Sequence, residues 1–156
     1  MISRKHLRIT AAIASVAGAA VFGSTALGAG PKPTLAFVAY NRGLEFVTAS
    51  GSTSVYPGKL QIGDRIFARD ALMQGTSSVG YDNELCTVTF DSHELCRVTV
   101  VLPGQGQIEA SWLWTDWPSG FSGAIDGGTG TFAGARGEFT LTPLAGGGAR
   151  LTVTLN

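Results

Sequence analysis

The side chains able to do chemistry in this sequence are few, and their spacing limits what they can do. Cys86 and Cys96 are the only cysteines, and a hairpin turning near Asp91 makes them direct cross-strand neighbours. Oxidised, they form a disulfide closing a short loop, worth about 2 to 3 kcal/mol. Reduced, they leave Cys86 as a thiol facing the interior. Trp112 and Trp114 share that interior face, where they either stack on a hydrophobic ligand or fill the core, while Trp117 follows in a loop. Asp64 and Asp70 flank a predicted strand and Asp126 precedes a run of glycines. Each is a candidate general acid or base, against the plainer alternative of a surface or turn role.

Other chemistries are poorly supported. Beyond the first 30 residues His93 is the only histidine, and it falls in the turn Asp91–Glu94. No metal site is expected on one exposed histidine, and a Ser/His/Asp triad has to use the same residue. Gly128-x-Gly130-x-x-Ala133 fits a loose dinucleotide fingerprint, but that motif needs a long helix directly after it. Here Gly134 and Gly137 follow and the chain returns to strand.

The elements that hold these residues are strands. Val, Ile, Phe, Leu, Trp and Thr alternate in short runs separated by Gly51, Pro57-Gly58, Gly75, Pro103-Gly104, Pro118 and Gly146–Gly148, which predicts an all-β barrel or sandwich. Strands are expected near 34–40, 44–49, 65–73, 78–81, 84–90, 95–102, 107–114, 121–125, 137–142 and 150–155. The first hairpin pairs Cys86 with Cys96 and Val88 with Glu94. The second, centred near Gln105, pairs Leu102 with Ile108 and Val98 with Trp112. These registers put Cys86, Val88, Phe90, Cys96, Val98, Val100, Leu102, Ile108, Ala110, Trp112 and Trp114 on one face, expected to be apolar throughout. Thr87, Thr89, Arg97, Thr99, Gln107, Glu109 and Ser111 form the solvated face.

The first 30 residues read as a signal peptide. Arg4, Lys5 and Arg8 precede the apolar run 9–27, and Ala26-Leu27-Gly28 offers small residues for cleavage. A membrane anchor is the alternative, since the run approaches the length of a bilayer span. With the leader removed, eight basic residues remain against 11 acidic ones, a net charge of −3. A mildly acidic chain has no electrostatic footprint for nucleic acid. Residues 31–156 then form one secreted domain, with no membrane contact after processing.

The segments GDRIFARDALM, ELCTVTF, LPGQGQIEASWLW and AIDGGTGTFAGARGEFTL occur in this order. Together they resemble the allene oxide cyclase barrel-like family, and GGTGTFAGARG is also similar to the core motif of plant dirigent proteins. The resemblance covers 63–156. It implies an eight-stranded antiparallel barrel with an apolar cavity, assembled as a homotrimer or a homodimer. It also implies cyclisation or coupling of a hydrophobic small molecule without metal or organic cofactor. Asp70 stands where the plant cyclases have an asparagine, which makes it the candidate catalytic residue, and Cys86 matches their cavity cysteine. On the first strand those cyclases use a glutamate and an asparagine, and this chain has Tyr40, Asn41 and Glu45 there. Gly127, Gly128, Gly130, Arg136 and Gly137 are then structural, with Arg136 anchoring the turn. The expected function is a secreted barrel that binds a hydrophobic molecule through Cys86, Val88, Phe90, Val98, Trp112 and Trp114 and guides its cyclisation or isomerisation by confinement. A carrier with the same cavity is the alternative, and a barrel filled by its own side chains is a third reading.

Overall fold

The computed structural model describes residues 32–54, 59–90, 93–115 and 119–156. The leader, the centre of the Cys86–Cys96 hairpin turn and Trp117 lie outside them. The strands are β1 (Thr34–Val47), β2 (Thr53–Ser54), β3 (Arg65–Gln74), β4 (Ser77–Val88), β5 (Glu94–Leu102), β6 (Gly106–Trp114), β7 (Phe121–Gly128), β8 (Gly137–Pro143) and β9 (Ala149–Leu155). Each of β3 to β8 pairs antiparallel with the next, and β1 pairs with both β3 and β9, closing an eight-stranded barrel. The two-residue β2 adds to the end of β1. Among the described residues no helix is long and apolar enough to cross a membrane.

Strand alternation builds the interior as expected, with two refinements. Segments 34–40 and 44–49 are one strand carrying a bulge between Asn41 and Gly43, which re-aims the side chains after it. Segments 78–81 and 84–90 also merge into one strand, β4, which ends at Val88. Phe90, expected inside, lies beyond that end and is 76% exposed; once the chain leaves the ladder, alternation no longer dictates its direction.

The β4–β5 register is the expected one, with Cys86 opposite Cys96 and Val88 opposite Glu94. The β5–β6 register is tighter by two residues, pairing Leu102 with Gly106, Val98 with Ala110 and Cys96 with Trp112. Gly104 and Gly106 take positive φ and allow the shorter turn. A two-residue shift preserves side-chain parity, so the assignment of faces survives it.

One end of the barrel is packed solid. Phe37, Leu72, Val100, Leu102, Ile108, Phe132, Leu151 and Val153 are buried in one cluster. Phe132 comes from the glycine-rich link between β7 and β8, where Gly130–Phe132 makes a single 3-10 turn. That turn is tied to the β5–β6 hairpin by Thr129 N–H to Gln107 O at 2.9 Å and Thr131 N–H to Gln105 O at 2.7 Å. Gly130, at φ +59°, brings its Cα so close that a Cβ would sit 2.4 Å from Gln105 O. Arg136 donates to Ala135 O at 2.7 Å, within the same link. The glycine motif therefore works as a plug for the closed end.

Candidate functional site

The other end of the barrel holds a cavity of about 450 Å³, the size range in which an eight-stranded barrel accommodates one small ligand. It is lined where β3, β6 and their neighbours bring together the N-terminal halves of β3, β5 and β7 with the C-terminal halves of β4, β6 and β8. Asn41, Leu44 and Phe46 come from β1, Ile66, Ala68 and Asp70 from β3, Glu84 and Cys86 from β4, and Glu94 from β5. Trp114 comes from β6, Phe121 from β7 and Leu141 from β8, and Ala39, Leu60, Gly148 and Ala149 also line it.

The two sides of this cavity differ in chemistry. Asp70, Glu84 and Glu94 lie on three successive strands, while Trp114 and Phe121 lie on the next two. Phe121 is 4.9 Å from Trp112, nearly parallel to it, and 5.3 Å from Trp114. Among the described residues no Lys, Arg or His lines it. The inward face is thus not apolar throughout: Asp70, Asp82, Glu84 and Glu94 all point in, at positions that share parity with Cys86.

Burial raises the carboxyls of this wall above their ordinary values. Burial pushes Glu84 up to about 8, with the charges of Asp82, Asp70 and Glu94 adding to the effect. Its Oε1 lies 3.0 Å from Cys86 Sγ. Cys86 is disulfide-bonded to Cys96, and a disulfide sulfur carries no hydrogen, so the protonated carboxyl is the donor in that contact. Asp70 is also raised by burial, but Asn41 Nδ2 donates to its Oδ1 at 3.1 Å and favours its ionised form. Glu94 is raised by burial alone. The wall therefore offers an acid, Glu84, and a carboxyl with an amide donor supporting its anion, Asp70.

The expected site residues fall into three groups. Asp70, Cys86 and Trp114 line the cavity. Val88, Val98 and Trp112 are buried in the packed interior, at 2%, 8% and 5% exposure, and are not part of the lining; Trp112 backs the aromatic side through Phe121. Phe90 is outside. Asp64 is buried but serves the loops: its two oxygens accept Ala49 N–H and Gln61 N–H, each at 2.8 Å, and this fixes the segment that brings Leu60 to the cavity. Asp126 is exposed on β7.

Glu84, Glu94, Asn41 and Phe121 were not among the expected site residues. A signal for the two glutamates exists in the sequence: the registered hairpin puts both on the Cys86 face, and a charge at an inward position is the informative exception on an otherwise apolar face. Asn41 was marked only by the resemblance to the first strand of the plant cyclases, and its place beside Asp70 follows from the β1–β3 register next to the bulge.

The chain is similar to pyocyanin demethylase, with a TM-score of 0.67 and 25% identity over 80% of this chain and all of that one. It is also similar in fold to the Diels-Alderase AbmU from Streptomyces koyangensis, with a TM-score of 0.57 and 11% identity over 81% of this chain and 70% of that one. Both are barrels that process small molecules. No family model and no curated protein sequence matches the chain.

Proposed function

We propose that this barrel is an acid–base enzyme that binds a compact, planar, basic or cationic molecule and transfers a proton within it, driving an isomerisation or ring closure. The carrying observation is the composition of one cavity: three carboxyls on one side, two aromatic rings on the other and no basic side chain among the described residues that line it. Rings favour a flat partner, and a cation over a ring face beside carboxylates gains on both counts. A ligand with a free carboxylate finds no basic partner among the described lining residues and adds a second anion beside Asp70, which argues against an anionic lipid. Glu84 then supplies a proton and Asp70 receives one, while the plugged far end and apolar walls exclude water and hold the substrate in a reactive conformation.

The likeness to pyocyanin demethylase supports a small-molecule substrate and makes pyocyanin the first compound to test; the Diels-Alderase supports the fold alone. The Cys86–Cys96 disulfide is compatible with a domain at 31–156 exported behind a leader at 1–30. The experiment is incubation with pyocyanin in deuterated buffer, read by mass spectrometry. Conversion or deuterium uptake above background is expected, falling on the order of 100-fold or more in Glu84→Gln and Asp70→Asn. Saturable tryptophan quenching with neither exchange nor conversion assigns a carrier instead.

A further inference from the structure

Among the described residues two aspartates are buried, each 5% exposed, and their surroundings differ. Asp64 is satisfied by two backbone N–H groups at 2.8 Å, enough to account for its burial. Asp82 accepts one, from Asp70 N–H, at 3.2 Å. It does not line the cavity, so no ligand in the cavity touches it. A buried carboxyl with so little support costs stability, and an apolar residue serves better unless the charge has a use.

Its position suggests that use. Asp82 is directly opposite Asp70 in the β3–β4 register and two residues before Glu84, on the same face of β4 and roughly 7 Å along the strand. Across β5 its partner is Val100. The inward residues that β6, β7, β8 and β9 add to the core, among them Ile108, Ala110, Ile125, Phe139, Leu151 and Val153, are apolar, and β1 brings the neutral Asn41. Among the described residues, the titratable groups that face Asp82 are thus Asp70 and Glu84, with Glu94 beyond, all of them acids.

We propose that Asp82 is a positioning residue for the cavity's acid–base pair: it anchors the backbone of Asp70 from behind the wall and, on the same face of β4 as Glu84 but out of a ligand's reach, couples its own carboxyl to that of Glu84. Burial contributes most to holding the Glu84 proton, and Asp82 adds to it. Its own carboxyl is pushed up to about 7 by burial and by the charge of Asp70, partly offset by the Asp70 N–H. Asp82 and Glu84 therefore exchange protons over neighbouring pH ranges, and they titrate as a coupled pair. This inference rests on the acid–base reading of the site, but its test needs neither ligand nor turnover.

The test is a carbon-13 NMR titration of the side-chain carboxyls in the ligand-free full chain, wild type against Asp82→Asn. The amide keeps the acceptor for Asp70 N–H and removes the charge. In wild type the Glu84 resonance moves in two steps, one of them at the Asp82 midpoint. In Asp82→Asn it moves in one step, at a midpoint lower by about one pH unit or more. An unchanged Glu84 midpoint in the variant overturns the proposal, and so does a single-step wild-type curve indifferent to Asp82. The second criterion stands even if the variant fails to fold. A failed pyocyanin assay with the coupled titration intact overturns the acid–base function while leaving the role of Asp82 in place.

Discussion

Replacing Glu84 by Gln makes the barrel more tolerant of neutral and mildly alkaline pH, because the amide imitates the protonated carboxyl that the fold selects. The Glu84 carboxyl titrates near 8 in the folded chain, against 4.5 for the ordinary group. Between those values the folded state holds a proton that the unfolded state has released. Stability is therefore greatest at low pH and falls as pH rises through the window, by about 1.4 kcal/mol per pH unit for one such group. From pH 5.5 to 7.5 Glu84 alone costs wild type about 3 kcal/mol, a large share of the roughly 5 to 15 kcal/mol typical of a domain. The variant lacks that slope. Guanidinium unfolding followed by tryptophan fluorescence, with the disulfide intact, should give variant and wild type within about 1 kcal/mol at pH 5.5. At pH 7.5 the variant should be ahead by about 3 kcal/mol. Equal offsets at both pH values, or a wild type more stable at 7.5 than at 5.5, would refute the claim that Glu84 is held neutral.

Three other outcomes follow from the geometry. Asp64→Ala leaves Ala49 N–H and Gln61 N–H without their acceptor and should cost about 2 to 4 kcal/mol in denaturant unfolding. Cys86→Ser with Cys96→Ser opens a link of sequence separation 10 and should lower stability by about 3 kcal/mol; an intact mass that does not rise by two hydrogens on reduction contradicts the disulfide. Gly137→Ala, at φ +150° with a Cβ 2.0 Å from Thr154 O, should prevent β8 from pairing with β9. It is checked by circular dichroism and thermal melting.

Alternation and turn residues made the barrel legible before any coordinates. Cys86, Cys96 and Val98 fell on the right face because parity survives a two-residue error, and the Cys86–Cys96 pairing followed from a turn of the right length. The limits of the strands were less legible. Phe90 looked inward only because β4 was carried two residues too far. The site was harder still, since parity tells inward from outward but not cavity from core: Trp112 and Trp114 share a face, yet one is packed under Phe121 and the other borders the open volume. That distinction depends on which end the glycine-rich link plugs with Phe132, a contact between distant parts of the chain. The acids were legible in principle. Glu84 and Glu94 stood on the interior face of the registered hairpin, and charge alone suggested a solvated position, whereas the register put them inside.

The central claim, that the cavity selects a flat cation through Asp70, Glu84, Glu94, Trp114 and Phe121, is tested most directly by calorimetric titration with two probes of similar shape. N-methylacridinium is the cation and anthracene-9-carboxylate the anion. Wild type should bind the cation saturably and one-to-one, with binding about tenfold or more weaker in Asp70→Asn and no measurable binding of the anion. Tighter binding of the anion, or cation binding indifferent to Asp70→Asn, would contradict it.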